Sequence, residues 1–148
     1  MTTQQQSGNA PVAPPPSFRN PFLDLLGVID GEVGEGWAEV ILEARPDLGN
    51  MHGKVHGGVL MAMLDTTMAR AAMSRLGFSL SVVSIGVSTN FLRPGSGRLV
   101  TRARALGGGR STCFCEGEVL DADGHTVATA LGTFKYQKPP GATAESIE

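Results

Sequence analysis

Cysteine is scarce in this chain of 148 residues: Cys113 and Cys115 are the only two. They stand two apart, so on a strand they share one face, and a bridge between them would close a strained, tight loop. A disulfide framework is therefore not expected, which suits a reducing cytoplasm. A zinc site needs further ligands at suitable spacing. His52, His56 and His125 do not supply them, so neither metal nor cofactor is expected. An excess of one charge is missing too. Twelve Lys and Arg against 14 Asp and Glu leave a net charge of −2, which gives no electrostatic footprint for nucleic acid. The longest purely apolar run, Val59–Leu64, is far short of the ~18 residues of a membrane helix. The opening residues, MTTQQQSGNAPVAPPP, hold neither a basic n-region nor an apolar h-region, so no secretory signal is expected.

What is present is ordinary globular material, 41% hydrophobic and 18% charged, of a length that suits one domain. Residues 1–17 and 139–148 are rich in Gln, Pro, Ser and Ala or otherwise poor in apolar residues. They are expected to be flexible tails around a folded unit spanning 18–138. Within that unit Phe22–Gly27 suggests a helical turn. Val28–Val33 and Trp37–Ala44 read as strands around Gly34-Glu35-Gly36, and Arg45–Val55 as a loop. Gly57–Leu76, rich in Leu, Met and Ala and free of Pro, reads as a long helix closed by Gly77. Apolar residues surround most of its circumference, as in a buried helix. Ser81–Leu92 alternates, with Val83, Ile85, Val87 and Phe91 on one face and Ser84, Gly86, Ser88 and Asn90 on the other. Arg98–Leu106, Thr112–Asp121 and His125–Tyr136 follow as strands joined by short turns. The pattern predicts an α+β fold in which a curved antiparallel sheet wraps one long central helix, the hotdog arrangement.

Two features between Asn50 and Asp65 point to chemistry. The helix starts at His56-Gly57-Gly58 with no Ser, Thr, Asp or Asn cap, so its first amides lack partners and sit at the positive end of the helix dipole. That turn reads either as an oxyanion hole or as a tight loop-to-helix junction. Asp65 lies in the middle of an apolar helix, where an unpartnered carboxylate is rare. It reads either as a general base or nucleophile, or as a structural acid bonded to Thr66, Thr67 or a neighbouring strand. Gly57 and Asp65 are eight positions apart, or about 12 Å along a helix. One carbonyl cannot touch both, so joint action requires two chains, with the helices meeting antiparallel in a two-fold dimer. The methionines Met61, Met63, Met68 and Met73 would line either an adaptable acyl pocket or plain core.

Asn50-x-x-Gly53-x-x-His56-Gly57-Gly58, followed by Leu64-Asp65, resembles the motif of hotdog-fold acyl-CoA thioesterases of the phenylacetate-degradation (PaaI-like) type. The likeness runs on through Asn90-Phe91-Leu92-Arg93-Pro94, Gly109-Arg110-Ser111 and Asp123-Gly124, and covers about Leu25 to Tyr136. It implies an acyl-CoA substrate and assembly into a homodimer and a dimer of dimers. Asp65 would be the catalytic carboxylate, Gly57 the amide donor to the thioester oxygen, Asn50 a positioner of water or thioester, and His56 an orienting residue or a cap. Gly58 and Ser84 would border the substrate. Gly109, Arg110 and Ser111 would hold the pantetheine and phosphate end, with Arg93, Arg102 and Arg104 as further phosphate candidates. Where some relatives carry a Thr one turn after the acid, this chain has Ala69.

Three other readings compete. A hotdog dehydratase or hydratase would pair a loop histidine, here His52, with the helix acid, but the Phe-Pro-Gly segment expected around that histidine is missing. A non-catalytic acyl-CoA-binding module would keep the coenzyme grip without needing Asp65. A purely structural dimer would need neither. Gly31-x-x-Gly34-x-Gly36 precedes no helix and reads as a turn, not a phosphate loop.

Overall fold

The structure, a computed structural model, describes residues 20–139 and 141. The predicted tails, 1–17 and 139–148, lie outside those residues except for Pro139 and Gly141. A short helix, α1 (Pro21–Leu26), opens the described chain. Asn20 caps it by accepting from the amides of Phe22 and Leu23, and Gly27 closes it at a φ of 78°. The strands β1 (Ile29–Gly34) and β2 (Trp37–Glu43) form a hairpin, and a 3-10 turn at Pro46–Leu48 interrupts the predicted loop. Then come α2 (Gly57–Ser74), β3 (Ser81–Phe91), β4 (Arg98–Gly108), β5 (Thr112–Leu120) and β6 (Thr126–Gln137). The helix α2 stops two residues earlier than the sequence suggests. A tighter turn, with the Gly77 amide donating to the Ser74 carbonyl, carries the chain to Gly77 at a φ of 59°.

All strand pairs are antiparallel, in the order β1-β2-β4-β5-β6-β3. The sheet wraps α2, which packs against every strand. Period-two alternation builds this contact. Ala38, Val40 and Leu42 from β2, Leu99 and Thr101 from β4, Cys113, Cys115 and Val119 from β5, and Phe134 from β6 are buried, as are Met63, Leu64, Thr67 and Met68 of α2. The helix comes so close to β6 that a Cβ on Gly132 would stand 3.1 Å from the Met68 methyl and 2.7 Å from the Phe134 ring. The two thiols share the buried face, with their sulfurs 3.9 Å apart. Burial pushes the Cys115 thiol well above the usual range.

Two expectations need correction. The helix is not buried all round. Gly58, Met61, Ala62, Asp65, Thr66 and Ala69 form a stripe left half-covered or open by the sheet, and Met61 is 43% exposed. Met63, Met68 and Met73 are core. The alternation along β3 also breaks. A bulge between Ser84 and Gly86 inserts one residue and reverses which side chains face the helix. Ser84 pairs with Phe134, Val87 with Gly132 and Phe91 with Ala128, so all three face α2 across the bulge. Val83, Ser88 and Asn90 face away. The cause is local: a glycine inside an edge strand packs no side chain and permits the kink.

Candidate active site

The turn leading into α2 is organised by Asn50. Its Oδ1 accepts from the amides of His52 at 2.9 Å and Lys54 at 3.1 Å. Its own amide donates to the Lys54 carbonyl, and its carbonyl accepts from Gly53. A single bridge joins Gly49 to Val55. Asn50 Oδ1 is therefore committed to loop amides, while its Nδ2 has no hydrogen bond among the described residues. This side chain builds the loop that delivers the helix.

His56 is the missing cap. It sits in an extended conformation at the N-cap of α2, and its Nδ1 accepts from the Gly58 amide at 2.8 Å. An imidazole accepting at Nδ1 is neutral and carries its proton on Nε2. The cap consumes the Gly58 amide, so this N–H is not open to substrate as the motif suggested. The Gly57 amide, by contrast, has no acceptor among the described residues and remains at the positive end of the dipole.

Eight positions along α2, Asp65 is half-buried and receives a hydrogen bond from the Ser84 hydroxyl at 2.5 Å. Such a charge-assisted bond is short and strong. It fixes one carboxylate oxygen, and Oδ2 has no hydrogen bond among the described residues. Of the structural partners expected for Asp65, the neighbouring strand is the one found, through Ser84 of β3; the Thr67 hydroxyl donates to the Met63 carbonyl within the helix, and Thr66 makes no side-chain hydrogen bond among the described residues. Phe91, at the far end of β3, lies against the helix start; a Cβ on Gly57 would stand 3.2 Å from its Cε1. The strand β3 thus touches α2 at both points of interest, Ser84 at Asp65 and Phe91 at Gly57. Phe91 went unassigned in the sequence, and an isolated Gly86 inside a strand was the one signal for the bulge.

Other predicted residues are not brought to Asp65. Arg93 is exposed just beyond Phe91, near the start of α2. Gly109, Arg110 and Ser111 form the exposed β4–β5 turn. That turn lies by the opposite end of α2, since the Arg75 guanidinium reaches the Gly108 carbonyl. Neither Arg93 nor Arg110 has an ion pair among the described residues. Arg102 and Arg104 are not free phosphate ligands. They pair with Glu39 at 2.9 Å and Glu116 at 2.5 Å on the outer face of the sheet, where with Trp37 they border a depression of about 570 Å³ on the side away from Asp65. The imidazole of His52 makes no hydrogen bond among the described residues, so a His52–Asp65 pair is not formed within the chain. Among the described residues no helix is long and apolar enough to cross a membrane.

Comparison with known proteins places the fold and the family. Residues 52–128 match the family model described as the thioesterase superfamily. The acyl-coenzyme A thioesterase PaaI of Escherichia coli is 30% identical over 109 residues, covering 72% of this chain and 76% of that protein. Its solved structure superposes with a TM-score of 0.76 at 27% identity, over 82% of this chain and 87% of the other. A conserved protein of Pseudomonas aeruginosa superposes with a TM-score of 0.78 at 33% identity, over 82% and 97%.

Proposed function

This chain belongs to the thioesterase superfamily and is a hotdog-fold thioester hydrolase; from that premise we propose that it cleaves acyl-CoA, with aryl or medium-chain acyl groups as the substrates to try first, at a site shared by two copies of the chain. The observation that carries the reading is the state of α2. A hydrogen-bonded Asp65 carboxylate and an acceptor-free Gly57 amide lie on one helix, about 12 Å apart by helix rise, with a half-open stripe between them. A second copy related by a two-fold axis, its helix antiparallel, supplies the other half.

In the reaction the Gly57 N–H donates to the thioester oxygen as negative charge develops there. Within the second copy, Ser84 holds the Asp65 carboxylate in one rotamer, as it does in this chain. The free oxygen of Asp65 takes a proton from water as the water oxygen bonds to the carbonyl carbon. Collapse of the tetrahedral species breaks the C–S bond, and the coenzyme leaves as thiolate and is protonated. His56 holds the first turn through its cap, and Arg93 and Arg110, without an ion pair among the described residues, are the arginines offered to the nucleotide phosphates.

The test is thiol release from a panel of acyl-CoAs. Asp65→Asn is expected to lower kcat at least ~100-fold with the oligomer intact. Co-expression of Asp65→Asn with Gly57→Val, each inactive alone, is expected to restore about a quarter of the activity through mixed dimers. Turnover retained by Asp65→Asn rejects the carboxylate; no recovery on mixing rejects the shared site. Loss of enoyl-CoA absorbance without thiol release would support the hydratase instead.

A further inference from the structure

We infer that Phe91 is the specificity-determining residue of the acyl side, an apolar wall beside the Gly57 amide that admits acyl groups with a flat or unbranched α-carbon and turns away those with a tetrahedral branch there. The inference rests on the Gly57 and Asp65 reading above. The bulge in β3 turns Phe91 toward α2, and its ring edge lies where a Gly57 side chain would begin, 3.2 and 3.3 Å from that Cβ position at Cε1 and Cζ. Yet the ring is 52% exposed. Part of it therefore packs on the helix start, and part stays open beside Gly57.

A carbonyl oxygen accepting from that amide at about 3 Å carries its carbon and the first substituent atoms past the ring. The surroundings are apolar: Met61, exposed, stands one turn along the helix from Gly57. The polar pantetheine amides would lose hydration against such a surface, so the acyl group is the end that belongs there. A methyl branch at its α-carbon needs room that the ring occupies. A methyl added at position 57 would push on the ring, which must give by a few tenths of an ångström.

The experiment compares the best unbranched substrate of the panel with its α-methyl analogue, for example phenylacetyl-CoA with 2-phenylpropanoyl-CoA, by kcat/KM. The wild-type chain is expected to favour the unbranched member by about tenfold or more, the size of effect one methyl group can produce in an apolar pocket. Phe91→Ala is expected to bring that ratio near unity, and Phe91→Leu to leave it in between. Gly57→Ala is expected to cost less in the Phe91→Ala background than in wild type, because the added methyl no longer meets the ring. An unchanged preference in both Phe91 variants, or an equal cost of Gly57→Ala in both backgrounds, overturns the inference while wild-type turnover leaves the hydrolase reading standing. No thiol release by the wild-type chain from any acyl-CoA overturns both.

Discussion

At the scale of single residues, the Ser84–Asp65 contact is where the proposed carboxylate chemistry meets the fold. Asp65 is held through one oxygen and sits on the open stripe of α2. A hydrogen bond to a charged group contributes about 1.5–3 kcal/mol. Ser84→Ala is therefore expected to lower kcat between about tenfold and a hundredfold with KM little changed, and Ser84→Thr to restore part of it. Steady-state kinetics on one acyl-CoA checks this, and a wild-type kcat in Ser84→Ala would remove the serine from the machinery. Asp65 and Gly57 were legible in the sequence because an acid in an apolar helix and glycines at a helix start are each chemically odd. The contact with Ser84 was not, because it depends on one inserted residue in a different element.

At the scale of elements, α2 is secured at both ends by side chains that repetitive patterning does not reveal. His56 caps its start. Replacing it with Ala is expected to lower stability by about 1 kcal/mol, and Asn at this position should restore the cap; denaturant midpoints measure both. If His56→Asn recovers stability but not turnover, the imidazole does more than cap. At the other end the buried Tyr136 hydroxyl donates to the Ala72 carbonyl at 2.8 Å. Burial pushes its phenol up to about 12, against about 10 in an unfolded chain. The folded state then holds its proton longer than the unfolded one. The associated stability is complete below pH 10 and is lost as the pH climbs toward 12. Tyr136→Phe is expected to be less stable by about 1 kcal/mol near neutrality and to show a shallower alkaline loss than wild type, a difference that unfolding curves across that range would reveal.

At the scale of the whole molecule, the open stripe of α2 lies beside an unprotected sheet edge. β3 ends the sheet, and its Val83 and Ile85 are 43% and 60% exposed. Unpaired edge strands with apolar side chains invite a partner strand, and this edge adjoins the open stripe of α2 through Ser84. A two-fold dimer across β3 would cover both. Ile85→Lys is expected to shift the chain toward monomer in sedimentation velocity and to abolish thiol release together with dimerisation. A monomer with full activity would show that each chain carries a whole site.

Composition and pattern by themselves determined the element order, the single long helix, and the identities of Gly57 and Asp65, because periodicity and residue oddity are properties of neighbours in the chain. The resemblance supplied the candidate roles. Tertiary structure decided what depends on distant segments meeting. The bulge at Ile85 turned Ser84 and Phe91 toward α2. The outer sheet face claimed Arg102 and Arg104 for Glu39 and Glu116. Each is a matter of which face a side chain occupies once strands are in register, and a single extra residue is enough to reverse it.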